Sequence, residues 1–264
     1  MINIEKNLFL RQADNITVVT SGKGSTGKTW FSLSLAHGLN LLGQRVLILD
    51  ADNGFLNADF QLNQNNGFYL NDVVDNLCTL NQAVSQLRKK FDVITARAGS
   101  DLLENMPIGR LQVLSDDLFC LAQKYDQVIL DVSQSGKVLH NLLPKGSNVI
   151  LLCNSNPSSL VNTYKFLQDE VKTLKADKLQ IVVNYANSPE DGRQTYNTLR
   201  KACEQYIDYV PKLLGIIRND TSVREAISKH VLFLSEYAKS PAATDVMNIA
   251  SNLMNKGDKN ATGL

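Results

Sequence analysis

The chain lacks most of the features that mark a metal scaffold, a secreted protein or a membrane protein. Its four cysteines, Cys78, Cys120, Cys153 and Cys203, are scattered with no C-x-x-C pair, so neither a zinc site nor a disulfide framework is indicated. The three histidines, His37, His140 and His230, are equally dispersed and read as structural or surface residues. A formal net charge of only +1 gives no global attraction to nucleic acid or anionic lipid and leaves local patches to carry any such contact. No stretch approaches the roughly 18 uninterrupted apolar residues of a membrane helix. The first residues are charged and lack a signal-peptide core. These absences predict a cytoplasmic protein. At 264 residues and 44% apolar, the chain is large enough to bury a substantial core in one α/β domain. No internal repeat, low-complexity stretch or linker interrupts it.

What is present begins with Ser21-Gly22-Lys23-Gly24-Ser25-Thr26-Gly27-Lys28-Thr29. It fits G-x-x-x-x-G-K-[ST], a loop whose backbone N–H groups wrap nucleotide phosphates. Chance alone produces the pattern in roughly one chain in a hundred of this length. Its surroundings argue against chance. Ile16 to Thr20 is a short β-branched run that predicts a buried strand, and Trp30 to Leu42 predicts a helix that Gly43 ends. Glycines permit the backbone turns, and the helix N-terminus presents partial positive charge to phosphate. Gly22, Lys23, Gly24, Ser25, Thr26, Gly27, Lys28 and Thr29 are therefore the candidate phosphate-binding residues. Lys28 would contact the β- and γ-phosphates, and the Thr29 hydroxyl would ligate Mg²⁺.

Further strand candidates are 45–50, 91–95, 127–131, 148–153, 179–184 and 212–217. Several are continuous apolar runs, which implies strands covered on both faces: a three-layer α/β/α fold with a mostly parallel sheet. A last helix is expected over about 243–255, with Val246, Ile249, Ala250, Leu253 and Met254 on its packed face. The expected division is an N-terminal extension at 1–13, a nucleotide-binding domain at 14–255 and a flexible tail at 256–264. Ligands of such sheets sit beyond the carboxyl ends of the strands. Leu47-Ile48-Leu49-Asp50-Ala51-Asp52 and Val128-Ile129-Leu130-Asp131 end in aspartates at that edge. Asp131 is a candidate for holding the water shell of Mg²⁺; alternation puts Asp50 and Asp52 on the same side, where one could organise Mg²⁺ waters while the other orients an attacking water. Lys23 is a candidate cation for the transferring phosphate, delivered across a dimer interface.

These residues resemble the MinD/ParA ATPases. Gly22 to Thr29 is similar to their deviant Walker A box G-K-G-G-x-G-K-T, and Asp50 to Asp59 resembles the D-A-D-x-G-L-x-N-x-D box of the MinD branch. Within that branch the likeness is to the FlhG-type flagellar regulators. Tyr125 to Asp131, Pro157 to Tyr164, Val182 to Asn184 and Gly215 to Val223 resemble successive motifs of that group. The likeness spans about 14–255. It implies an ATP- and Mg²⁺-dependent homodimer with slow, partner-stimulated hydrolysis, in which Lys23 reaches the opposite subunit, Lys28 and Asp52 act in catalysis, and Asn184, Ile217 and Asp220 lie on the adenine side. It also implies a protein partner, a flagellar regulator or GTPase, and cytoplasmic residence with conditional association at the inner membrane or cell pole. Departures fall around switching and pairing: Ser25 replaces a glycine, the stretch after Asp131 is one residue longer, Asn156 and Asn162 replace acids, and Arg218 replaces a proline. The activator segment found at the N-terminus of such regulators matches Glu5 to Arg11 only at its end.

Two other readings remain open. The departures suit a nucleotide-binding module with little turnover. A MinD/ParA-type positioning role, at division sites or in DNA partition, is the other, and DNA partition would need a basic surface. Lys165, Lys172, Lys175 and Lys178 are the candidate stripe, but Asp169, Glu170 and Asp177 interrupt it, so the nucleic-acid signal is weak. A bacterial tyrosine kinase is excluded, because no tyrosine follows Tyr237.

Overall fold

The computed structural model describes residues 13–51, 58, 67–97, 99, 101–133, 136–144, 146–170, 178–207 and 209–261, with side chains to 255. Alternation along buried strands builds the architecture. In the strand Gln127–Asp131, Val128 and Leu130 enter one hydrophobic cluster while Ile129 enters another, as a period of two requires. The same division recurs across a single sheet, whose two faces each carry a core.

Eight strands among the described residues make that sheet: β1 (Ile16–Ser21), β2 (Val46–Asp50), β3 (Ser85–Arg88), β4 (Phe91–Thr95), β5 (Gln127–Asp131), β6 (Asn148–Cys153), β7 (Leu179–Ala186) and β8 (Lys212–Arg218). Their spatial order is β3-β4-β2-β5-β1-β6-β7-β8. All neighbours pair in parallel except β3 with β4. The seven apolar runs anticipated from the sequence are all strands. The eighth, β3, is Ser-Gln-Leu-Arg with alternating exposure at the sheet edge, a polar antiparallel edge of the kind that discourages further strand pairing.

One face is covered by α4 (Ile108–Ala122), α5 (Gly136–Leu142), α6 (Pro157–Glu170) and α7 (Pro189–Tyr206), with short helices α2 (Leu70–Val74) and α3 (Leu102–Asn105) preceding them. The other is covered by α1 (Lys28–Leu41), α8 (Thr221–Ser228), α9 (Phe233–Glu236) and α10 (Pro241–Ala261). Helix α1 is buried at every position from Trp30 to Leu39, because the sheet lies on one side and α10 on the other. A helix apolar all round fits only such a place. Helix α10 begins two residues earlier than expected, and its backbone continues to Ala261. No helix among the described residues is long and apolar enough to cross a membrane.

His37 is a structural residue of the α1 face. It is fully buried, stacks on Phe91 with ring centroids 5.9 Å apart, and receives a hydrogen bond at Nε2 from Arg88 Nη1 at 3.0 Å. A guanidinium can only donate, so the ring proton lies on Nδ1. Burial, with a smaller push from the Arg88 charge, lowers the imidazole pKa to about 4. The unfolded chain therefore binds this proton near pH 6.5 while the folded chain refuses it until about pH 4, so stability is lost as pH falls through that window. Protonation should cost about 3 kcal/mol by pH 4. Denaturant titrations at pH 7 and pH 4.5 should show a markedly smaller acid loss in His37→Gln than in the parent. Equal slopes in both proteins would remove His37 from the acid response.

Candidate functional site

The parallel register brings the carboxyl ends of β1, β2, β5, β6, β7 and β8 to one edge. The 22–27 loop lies there between β1 and α1. Gly27 adopts the left-handed conformation, with φ 86°, and caps α1 without any side-chain bond. That leaves the first N–H groups of the helix open to an anion. Ser25 is also left-handed, with φ 63°. The conformation that glycine would take at that position is thus kept by a serine at a cost of order 1 kcal/mol.

Two clamps hold the loop. On one side, a Cβ placed on Gly22 would lie 2.5 Å from the Asn162 carbonyl carbon and 2.5 Å from the Thr163 nitrogen. The loop therefore rests directly on the backbone of α6. On the other side, Asn184 at the end of β7 is 1% exposed and donates from Nδ2 to the Thr26 carbonyl at 2.8 Å. Its Oδ1 accepts the Tyr185 N–H at 2.9 Å. Ser21 closes the inside of the turn by donating from Oγ to the Lys23 carbonyl at 2.7 Å. The Thr26 hydroxyl is buried beside these groups with no hydrogen-bond partner among the described residues.

Lys28 and Asp131 meet in the interior. Lys28 Nζ lies 3.9 Å from Asp131 Oδ1, with side chains 9% and 0% exposed. Asp131 is register partner to Asp50 on β2. Asp50 is fully buried and accepts the Ala58 N–H at Oδ2. The Lys28 ammonium and the Asp131 carboxylate, both out of water, compensate one another, and Asp50 is the neighbouring carboxylate on the adjacent strand. With the half-buried Thr29 in the first turn of α1, this is a hard-oxygen donor set that suits Mg²⁺. Among the described residues no group of three or more His, Cys, Asp or Glu converges. Such a set fits an ion that completes its shell with phosphate and water. Asp52 lies outside the described residues.

Lys23 points the other way. Its Nζ donates to Ser158 Oγ at 2.7 Å on the exposed rim, at the start of α6. Ser158 in turn donates from N and Oγ to Asn156 Oδ1, at 3.0 and 2.7 Å. Within one chain Lys23 thus has a partner of its own. This contact was not foreseen from the sequence, although Pro157 to Tyr164 marked the segment that supplies it.

The residues expected on the adenine side, on neighbouring strands β7 and β8 and the start of α8, each have contacts within the chain. Asn184 braces the loop from beneath. Ile217 is fully buried in the core. Asp220 caps α8, accepting the Ser222 N–H at 3.0 Å and the Ala242 N–H at 3.1 Å. Burial alone would raise its pKa, but those two N–H groups and the Ser222 and Ser240 hydroxyls outweigh it and hold the carboxyl below its ordinary value. Arg218, in place of a proline, forms a two-pronged ion pair with Asp245 at 2.8 and 2.9 Å, fastening β8 to α10. Of the proposed basic stripe, Lys178 is tied to Asp14 at 2.8 Å, Glu170 is buried against His140 at 2.7 Å, and 172, 175 and 177 lie outside the described residues.

A parallel sheet with a phosphate loop between β1 and α1, and aspartates at the neighbouring strand ends, defines a P-loop nucleotide-binding protein of the α/β class. Residues 17–233 match the CobQ/CobB/MinD/ParA nucleotide binding domain, and the chain belongs to that family. It is similar to the antiactivator FleN of Pseudomonas aeruginosa, with 26% identity over 90% of this chain and 85% of the relative. It is also similar to the flagellum site-determining protein YlxH of Helicobacter pylori, with 21% identity over 90% of this chain and 81% of the relative. Among solved structures, the septum site-determining protein MinD of Pyrococcus horikoshii, complexed with Mg-ADP, superposes with a TM-score of 0.72 at 21% identity, over 94% of this chain and 97% of that one.

The contact between Gly22 and α6 gives a direct test. Gly22→Ala should cost about 1–3 kcal/mol, because the methyl meets helix backbone that cannot step aside. A drop in melting temperature together with weakened nucleotide binding is expected. An unchanged melt would show that the loop does not rest on α6.

Proposed function

We propose that the chain is a MinD-like switch that binds MgATP between two copies of itself, hydrolyses it slowly and acts in setting flagellar number or placement. The observation that carries this reading is the opposed placement of two lysines in one loop. Lys28 is drawn into the core beside Asp131, while Lys23 stands on the exposed rim. A buried cation serves the nucleotide of its own chain. A rim cation held by one hydroxyl can be handed to another molecule. The flagellar assignment is supported by FleN and YlxH, two relatives that align along nearly the whole chain.

In this reading Lys28 and the loop N–H groups hold the β- and γ-phosphates, and Thr29, Asp50 and Asp131 hold Mg²⁺ directly or through water. The ion, when bound, neutralises charge on the phosphate oxygens. Asp52 orients a water for in-line attack on the γ-phosphorus; the bond to the β,γ-bridging oxygen breaks, leaving ADP and inorganic phosphate. Lys23 of the second copy meets the negative charge on the transferring group. A protein partner, a flagellar regulator or GTPase, would read the paired state. Association with a membrane or cell pole would be conditional on that state.

The competing reading, a nucleotide-binding module that barely turns over, is favoured by Ser25 in its strained conformation and by Asn156, whose oxygen is engaged by Ser158. Phosphate release measured with and without Mg²⁺ separates the two. Asp52→Ala should lower turnover about a hundredfold or more yet still form a dimer with a non-hydrolysable ATP analogue in light scattering. Lys23→Ala should fail to dimerise. A monomeric parent protein at high concentration with analogue and Mg²⁺ would overturn the switch.

A further inference from the structure

The four cysteines are scattered along the sequence, and the fold sorts them into two kinds. Cys153 and Cys203 are buried. Burial pushes the Cys153 thiol up to about 12, and burial with the nearby Glu204 charge pushes Cys203 up to about 11, so both stay protonated and out of reach of reagents. Cys120 is exposed and Cys78 half-buried. These two line one surface cavity of about 630 Å³.

The cavity lies between α4 and the segment that joins α2 to β3. Asn76 ends α2 in the left-handed conformation, with φ 58°, which asparagine tolerates and which turns the chain out of the helix. From there the segment is held along α4 at two points. Arg110 donates to the Val74 carbonyl at 2.7 Å and to Asn76 Oδ1 at 3.2 Å. Lys124 donates to Asn81 Oδ1 at 2.7 Å. Cys78 lies between the two fixed points of the segment, and Cys120 lies between the two cations of the helix. Just beyond Cys78, the Thr79 N–H and hydroxyl both donate to Gln82 Oε1, at 2.9 and 3.0 Å, so the backbone that carries the thiol is fixed on both sides. Among the described residues no group of three His, Cys, Asp or Glu converges here to hold a metal. What the cavity offers is two thiols from opposite walls.

We propose that Cys78 and Cys120 are a redox-reactive pair, oxidised by a hydroperoxide to an intrachain disulfide that staples the α2–β3 segment to α4. Cys120, open to solvent, reacts first. Its thiolate sulfur attacks a peroxide oxygen, the O–O bond breaks and hydroxide leaves, giving a sulfenic acid. The Cys78 thiolate then attacks that sulfur; the S–S bond forms, the S–O bond breaks and a second hydroxide leaves. The two protons given up by the thiols turn both hydroxides into water, so two thiols are oxidised and one peroxide is reduced. Burial, with a smaller push from Asp72, raises the Cys78 thiol above its ordinary value. That keeps it protonated and assigns it the second step. Small thiols reverse the bond by exchange.

The test treats the folded, reduced chain with one equivalent of hydrogen peroxide and counts thiols by alkylation after denaturation. Two of the four cysteines should be lost, peptide mass spectrometry should find Cys78 joined to Cys120 within a monomer, and dithiothreitol should restore all four. Cys78→Ser should stop at the sulfenic acid of Cys120, captured by dimedone, and Cys120→Ser should keep its remaining thiols. Peroxide treatment in urea should show no preference for this pairing, which ties the reaction to the fold. The peptide map of the parent decides the pairing even where a variant fails to fold. Survival of all four thiols in the parent would overturn the inference. So would a lasting dimedone adduct at Cys120 of the parent, or a disulfide that joins two chains.

Discussion

The site depends on keeping Lys28 and Asp131 together out of water. Either charge alone at that depth would cost several kcal/mol, so the fold must deliver both to one point, and it does so through register. Asp131 pairs with Val19 on β1 and with Asp50 on β2, which places β5 between the strand that launches the loop and the strand that carries the second carboxylate. Beyond the last ladder positions the backbones stay linked: Ala51 N–H donates to the Asp131 carbonyl, Ala96 N–H to Asp50 and Val132 N–H to Val19. The apolar core and the phosphate site therefore share one constraint. A slip of one residue in β5 would turn Asp131 to the opposite face of the sheet and leave Lys28 without its counter-charge.

That shared constraint explains what the sequence made legible. Strands buried on both faces favour near-continuous apolar runs, and several of the seven in the parallel sheet, β2, β5 and β6 above all, are such runs. The loop was legible because its chemistry fixes both residue types and spacing. Edge strand β3 was not: it is short, polar and alternately exposed, so neither periodicity nor composition separates it from a loop. The role of Asn184 was hidden for a different reason. Its partner is a backbone carbonyl 158 residues away, and no local pattern encodes a contact made by strand order. The same holds for Ser158 under Lys23 and for Asp245 under Arg218. The substitution at Ser25 was visible in the sequence, but its left-handed backbone was not. Ile217 and Asp220 were found as residues near the edge, whereas burial and capping decide what their side chains do.

The two clamps on the loop also account for how the strain at Ser25 survives. A free loop would relax a serine out of the left-handed region, since about 1 kcal/mol favours doing so. Here Gly22 is pressed on α6 from one side and the Thr26 carbonyl is held by Asn184 from the other, so the three residues between them have no slack. The Asn184 clamp and the side-chain bond of Lys23 differ in strength. The Asn184 bond is buried, where a lost partner leaves an unsatisfied polar group at a cost of about 1–3 kcal/mol. The bond from Lys23 to Ser158 is exposed, where water replaces either partner for about 1 kcal/mol or less. The loop backbone is thus held at both ends, and only the side chain of the rim lysine is loosely tethered. In the dimeric reading this asymmetry is what a switch requires, because Lys23 can leave Ser158 for the charge of a second nucleotide without disturbing the grip of Lys28 on the first. Helix α6 carries Ser158 and lies against Gly22, so a partner that shifts α6 would act on the loop and on its lysine at once.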